Sequence, residues 1–315
     1  VDRLIDKRLQ FFTGKGGVGK STVTAALALL AAQKGKRTLI VEIDTNSTMR
    51  RIFNAPFVGF IPLEVRDGIW VININPEEAL LEYVEEHVKI KRIAKRITQN
   101  SILQYFFKAA PAVNELVAIN KIFNLYKQVD DTGNPEYDCV FVDLPATGHA
   151  ISFLGLPVLL GHIIGVGPIR KMIDNYQTLF TDPATTTINL VTLAEEMPVS
   201  ETIELYHTIT SKLKLPTGNL FVNAVVDKIF DDTEIDTLKK LEAVAGQLDI
   251  LDTALLPGRY NMKQHLASDT LVTKLIEQVR MNLVMLPRLL VSHFDYDALK
   301  QLTGTLAVQA AKETS

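Results

Sequence analysis

Residues Gly14-Lys15-Gly16-Gly17-Val18-Gly19-Lys20-Ser21 put four glycines and two lysines into eight positions. A short apolar run, Leu9–Phe12, stands just before them, and an Ala/Leu-rich stretch, Ser21–Lys34, follows. That order leaves the chain few choices. The apolar run predicts a buried strand, the glycines a tight turn, and the Ala/Leu stretch a helix that stops before Gly35. The spacing also meets G-x-x-x-x-G-K-[ST] at every fixed position. Glycines let backbone N–H groups turn inward around phosphate oxygens, and the helix behind them points its positive end at the same anion. Gly14, Lys15, Gly16, Gly17, Val18, Gly19, Lys20, Ser21 and Thr22 are therefore expected to hold ATP. Lys20 should reach the β- and γ-phosphates, and the Ser21 hydroxyl should face Mg²⁺.

Further apolar runs continue the pattern. Arg37–Ile43, Ile69–Ile74, Asp138–Val142, Ile188–Leu193, Leu220–Val226 and Leu283–Leu286 read as strands, with helical stretches between most of them. The expected class is α/β: a mostly parallel P-loop NTPase sheet flanked by helices, with an inserted α-helical subdomain. Pro76–Gln128 reads as two or three amphipathic helices with no strand among them. Leu80, Leu81, Val84 and Val88 fall at helical spacing there. Ala150–Phe180 is the second helical stretch. The expected organisation is one P-loop ATPase domain over 1–315, with 76–128 and 150–185 forming the helical subdomain. Ala150–Ile169 carries no Asp, Glu, Lys or Arg, and its length could span a bilayer. It also holds His162, two prolines and several glycines, so a buried helix or an apolar binding surface is the expectation.

Two aspartates end strands on the edge where ligands bind in such sheets. Asp143 is placed for a Mg²⁺-linked carboxylate and is followed by Leu-Pro-Ala-Thr-Gly-His, whose Pro and Gly suggest a loop able to switch. Asp44 could orient the attacking water or hold a water on Mg²⁺. His149 is either a phosphate sensor or a packed loop residue. Lys15 is an additional cation that the loop motif does not require. It is either a solvated lysine or one that reaches γ-phosphate across a dimer interface.

The bulk numbers exclude some classes. A net charge of −3 and a pI of about 6.1 give no sign of a nucleic-acid partner. One cysteine, Cys139, allows neither an internal disulfide nor a multi-thiolate metal cage, and this usage fits a cytoplasmic protein.

GKGGVGKST at 14–22 resembles the deviant phosphate loop of the ParA/MinD-like dimeric ATPases. Asp143–Pro157, DLPATGHAISFLGLP, resembles the D-x-x-P-T-G-H…F-L-x-L-P switch of the arsenite-pump (ArsA-type) ATPases, with Pro145 and Ala146 in exchanged order. That family includes the ATPases that deliver tail-anchored membrane proteins. PAVNELVAINKI at 111–122 and LAEEMPVSET at 193–202 resemble two further family segments, and 286–299 resembles its closing strand, adenine loop and last helix. The resemblance spans nearly the whole chain and is closest to the bacterial anion-transporting-ATPase-like branch. It implies a homodimer, or a heterodimer with a related chain, in which Lys15 meets the partner's nucleotide. It places Asp44 as the water-activating aspartate, Asn223 as the residue that reads adenine, and Pro287 and Arg288 in the adenine loop. Catalysis would then rest on Asp44, Lys15 and Lys20, and the metal on Ser21, Asp44 and Asp143.

The chain also departs from the family. The first switch, usually D-P-A-H, is Asp44-Thr45-Asn46-Ser47. The cysteines that capture metalloid are missing, and so is the C-x-x-C zinc clamp of the eukaryotic targeting ATPases. Function is expected to be Mg-ATP hydrolysis by a dimer that couples it to a conformational switch, handling a hydrophobic protein client. Phe106, Phe107, Leu156, Leu159 and Leu160 are the residues that could line its surface. The alternatives are an energising subunit for a membrane partner that transports anions, and a nucleotide-dependent scaffold or regulator with little hydrolysis.

Overall fold

The computed structural model describes residues 2–43, 47–87, 111–245 and 249–312. Its sheet has eight strands: β1 (Leu9–Thr13), β2 (Thr38–Glu42), β3 (Leu63–Arg66), β4 (Ile69–Asn73), β5 (Cys139–Asp143), β6 (Thr186–Leu193), β7 (Thr217–Val225) and β8 (Asn282–Pro287). The spatial order is β3-β4-β2-β5-β1-β6-β7-β8. Every pairing is parallel except β3 with β4. The α/β class and the mostly parallel sheet match the sequence reading.

The central strands are apolar on both sides because both sides are covered. Along β1, Leu9 and Phe11 enter one core while Phe12 enters the other. Along β5, Val140 and Val142 face the first core, and Cys139 and Phe141 the second. The second core is closed by α2 (Lys20–Gln33), α3 (Thr48–Ile52) and α11 (Tyr296–Lys312), with the short α1 (Asp2–Ile5) beside them. Helix α2 is buried from Val23 to Ala31, more than one sheet face explains. Helix α11 packs against α2, and Thr303 donates its hydroxyl to the carbonyls of Leu299 at 2.8 Å and Ala26 at 3.3 Å. An Ala/Leu helix apolar all round needs such a second cover.

The first core is covered by α4 (Pro76–His87), α5 (Pro111–Lys127), α6 (Thr147–Ile163), α7 (Pro168–Thr181) and α8 (Glu196–His207). Helix α8 runs on into one wider turn at Thr208–Lys212. Helices α9 (Asp232–Ala245) and α10 (Asp249–Gln278) follow β7. Aromatic edges lock the layer, with Phe11 and Phe180 ring centres 4.9 Å apart. The Tyr176 hydroxyl donates to Asn120 Oδ1 at 2.6 Å, joining α7 to α5.

Several boundaries differ from the sequence reading. Strand β3 was not anticipated. The expected helical run 76–128 is seen as α4 and α5, and its residues 88–110, which include Val88, Phe106 and Phe107, lie outside the described residues. The uncharged stretch after Ala150 divides into α6 and α7 at the turn 164–167. No described helix is long and apolar enough to cross a membrane. Leu156 is buried in the first core and Leu160 packs against it, whereas Leu159 is exposed.

Candidate active site

The glycine-rich turn leaves the end of β1, with β5 and β6 as that strand's neighbours. It is pinned from below by Val18, which is buried in the second core, while Gly16 and Gly17 face solvent. Two glycines are required by contact as well as by backbone. Gly14 has φ 153°, and a Cβ there would run into the Val191 carbonyl on β6. Gly19, the helix cap, has φ 92°, and a Cβ there would run into the Asn223 amide. Both positions fall where L side chains are strained.

Lys20 opens α2 and folds back, its ammonium donating to the Lys15 carbonyl at 3.1 Å. Next to it the Ser21 hydroxyl donates to Asp143 Oδ2 at 2.5 Å. Asp143 is the last residue of β5, at the strand end where the sequence reading put it. The structure therefore brings Lys20, Ser21 and Asp143 together around one loop. Thr22 lies on the first turn of α2, half-buried. Asp44 lies outside the described residues.

Lys15 points elsewhere. Its ammonium meets Glu201 Oε1 on α8 at 2.7 Å, both side chains partly exposed. Glu201 belongs to the segment 193–202 that carried part of the family resemblance.

Glu42 was not anticipated. It ends β2, directly in register with Asp143 on β5. Its buried carboxylate accepts from the Ser47 hydroxyl and from the backbone N–H groups of Thr48 at 2.8 Å and Met49 at 3.0 Å. Burial pushes its pKa up to about 7, and the Ser47 and backbone donors pull it back; Asp143 beside it adds to the rise. An acid closing the apolar run Thr38–Glu42 was the available signal.

A cavity of about 320 Å³ opens beside the loop, touching Gly17, Gly19, Asn223 and Arg288. Asn223 is aimed there by an irregularity in β7. The β7–β8 register shifts between Val222 and Val225, and Ala224 takes φ 53°. Such bulges re-aim side chains at the edges of sites. The Asn223 amide donates to the Val18 carbonyl at 2.9 Å, a contact that does not engage its Oδ1. Arg288 lines the cavity; Pro287 instead pairs with Val225 at the end of the sheet and is not among its lining residues. Gln264 and Ser268 of α10 and Glu195 before α8 also line it. Glu195 falls in the segment 193–202 that carried part of the family resemblance, but the sequence reading gave none of these three a role.

The loop expected after Asp143 is short. Helix α6 begins at Thr147, with Ala146 as its cap, so Thr147, Gly148 and His149 form its first turn. His149 is exposed and its backbone N–H donates to Ala146 O at 3.0 Å. Cys139 is wholly buried on β5, and burial pushes its thiol up to about 11, which suits a packing role.

A parallel sheet whose glycine-rich turn leads from a central strand into a buried helix, closed by the Ser21–Asp143 contact, defines a P-loop nucleoside triphosphatase. The sequence profile of the anion-transporting ATPases matches residues 7–177. The chain belongs to that family, the ArsA ATPases, and it is an ATPase. Among similar proteins, ATPase BagA of Mycobacterium tuberculosis is 30% identical over 252 residues, 78% of this chain and 72% of that protein. The arsenical pump-driving ATPase of Acidiphilium multivorum is 27% identical over 285 residues, 85% of this chain and 47% of that one. An Escherichia coli protein of the same name is 27% identical over 232 residues, 69% and 39% of the two chains. The chain thus spans less than half the length of these pump-driving relatives.

Proposed function

We propose that this ATPase binds ATP with Mg²⁺ along Gly14–Thr22 and hydrolyses it between two protomers. The cycle then drives a change of shape in the helices that follow Asp143. The carrying observation is the Ser21–Asp143 contact of 2.5 Å beside Lys20. These two oxygens suit Mg²⁺, which takes one or two protein oxygens and completes its shell with phosphate and water. Bound there, the metal would neutralise charge on the β- and γ-phosphate oxygens.

The chain's own groups divide the remaining work. Inward N–H groups of the loop bind the phosphates, and Lys20 leaves the Lys15 carbonyl to reach the transferred group. Asn223 Oδ1 accepts from the exocyclic amine of adenine; guanine presents an acceptor at that edge and is disfavoured. Asp44 orients the attacking water. Lys15 exchanges Glu201 for the partner's γ-phosphate when two protomers close.

The apolar elbow between α6 and α7 supports a hydrophobic protein client. Leu159, Ile163, Val166 and Ile169 are all more than half exposed there. Relatives named as arsenical pump-driving suggest a second reading, an energising subunit for a membrane transporter. Metalloid capture by thiolates is not part of that reading, since the one cysteine is buried.

The deciding experiment measures mass in solution, with and without a slowly hydrolysed ATP analogue in magnesium buffer. The expected result is a monomer that doubles with the analogue. An unchanged mass, with nucleotide uptake seen by calorimetry, overturns the dimer and spares the binding site. Asp44→Asn should bind ATP and lose turnover; full-rate hydrolysis by it removes the assignment of Asp44.

A further inference from the structure

The bond from the Asn223 amide to the Val18 carbonyl joins two parts of the nucleotide site that lie 205 residues apart in the chain. Asn223 is anchored for such a task. It stands where the β7–β8 register shifts, between Val222 and Val225. That bend is held from β8 by the Arg288 N–H, which donates to the Val225 carbonyl at 3.0 Å. From α10, the ring nitrogen Nδ1 of His265 lies 3.0 Å from the Val226 carbonyl. The side chain also stands close against the loop, since a Cβ on Gly19 would run into its amide nitrogen.

What the bond fixes is a peptide plane. The Val18 side chain is buried in the second core, so one end of the plane is already set. Asn223 sets the other by holding the carbonyl oxygen. A trans peptide is planar, and its C=O and N–H point in opposite directions. The Gly19 N–H is therefore turned away from Asn223. Gly19 caps α2 at φ 92°, and its N–H is one of the loop donors expected to meet a phosphate. Glycine takes either sign of φ with ease, so Gly19 itself offers little resistance to rotation of that plane.

We propose that Asn223 is a positioning residue of the phosphate loop: by holding the Val18 carbonyl, its amide aims the Gly19 N–H at the triphosphate. This task is separate from any contact of Oδ1 with a base. The inference rests on the nucleotide reading above and deepens it. It requires that Asn223 contribute to the binding of a ligand that has no base at all.

Inorganic tripolyphosphate with Mg²⁺ is such a ligand. Wild type, Asn223→Ala and Asn223→Leu are titrated calorimetrically with it and with ATP. Wild type should take up both. Asn223→Ala should bind tripolyphosphate about five- to tenfold more weakly, the range that one neutral hydrogen bond supports. Its affinity for ATP should fall by at least as much. Asn223→Leu keeps the branched outline without the donor and should lose the same. A second measurement reads the plane directly, in nucleotide-free protein labelled with carbonyl-¹³C valine and ¹⁵N glycine. Valine precedes glycine at 18–19, 58–59 and 166–167. In Asn223→Ala the Val18 carbonyl resonance should move upfield as its donor is lost. The other two should stay in place, which shows that the fold is kept. The proposal is overturned if either variant keeps wild-type affinity for tripolyphosphate, since Asn223 then acts on the base alone, or if the Val18 resonance does not move. A wild type that takes up neither ligand overturns the nucleotide reading itself, and this inference with it.

Discussion

Under the proposed function Lys15 has two partners, Glu201 in its own protomer and the nucleotide of the other. In the protomer it is held by Glu201 at 2.7 Å, with about a third or less of each side chain exposed. A pair that open contributes only about 0.2–1 kcal/mol, so it delays release of Lys15 without preventing it. Lys15→Ala should therefore lower turnover by about a thousandfold, the lower side of what a transferred cation supplies, with ATP affinity little changed. Steady-state hydrolysis beside equilibrium nucleotide binding checks this. Glu201→Gln should do the opposite to assembly. Freed from its partner, Lys15 should favour the nucleotide-bridged dimer by at most about fivefold per protomer, and so by at most about thirtyfold for the two pairs given up on closure. Analytical ultracentrifugation across protein concentrations would read the shift. A tighter dimer constant that persists in Lys15→Ala/Glu201→Gln would show that Glu201 acts by another route.

Among the elements, the sheet carries a polar seam that apolar patterning could not reveal. Gln10 on β1, Asn189 on β6, Asn219 on β7 and Asn282 on β8 form a chain of amides across four neighbouring strands. Asn189 donates to Gln10 at 2.8 Å and accepts from the Asn219 backbone N–H at 2.9 Å. Truncating it leaves both neighbours buried with unmet bonds, so Asn189→Ala should cost about 2–3 kcal/mol. A lower urea midpoint at unchanged slope would confirm it. Just before β2, Arg37 bridges Asp130 at 3.1 Å and the Pro135 carbonyl at 2.7 Å, tying the turn 130–136 to that strand. The Thr132 hydroxyl, with help from Arg37, holds the Asp130 carboxyl down at about 2. Its contribution is complete above the unfolded value of about 3.9 and is lost as pH falls through the folded one. Asp130→Asn should flatten that part of the acid limb in thermal melts between those two pH values. The buried parallel strands were legible because each is an unbroken apolar run. Strand β3, Leu63–Arg66, was not, because it is an antiparallel edge strand with only Val65 buried. The start of α6 was misread for a different reason. Pro145 and Gly148 suggest a loop, yet Pro145 stands just before the Ala146 cap, where no helical N–H is lost.

For the whole molecule, the phosphate loop was legible because its chemistry sits in consecutive residues, whereas the cavity beside it was legible only at Asn223 and Arg288. Gln264 and Ser268 reach it from α10, brought beside the loop only when α10 packs back along β7 and α8. The same distinction between local and assembled sites governs how stability should respond to ATP. A ligand bound by one folded protomer raises stability by a term set by its own concentration, about 2.7 kcal/mol at a hundred times its dissociation constant. That term does not depend on protein concentration. A ligand held between two protomers adds a second term, because unfolding then also separates the pair. Melting temperature measured with a slowly hydrolysed analogue and Mg²⁺ should therefore rise with protein concentration, and without nucleotide it should not. Lys15→Ala should keep the first effect and lose most of the second, because Lys20, Ser21 and Asp143 remain within one chain. If the analogue raises the melting temperature equally at all protein concentrations, the site is complete in one protomer, and the contact of Lys15 with Glu201 is its working position.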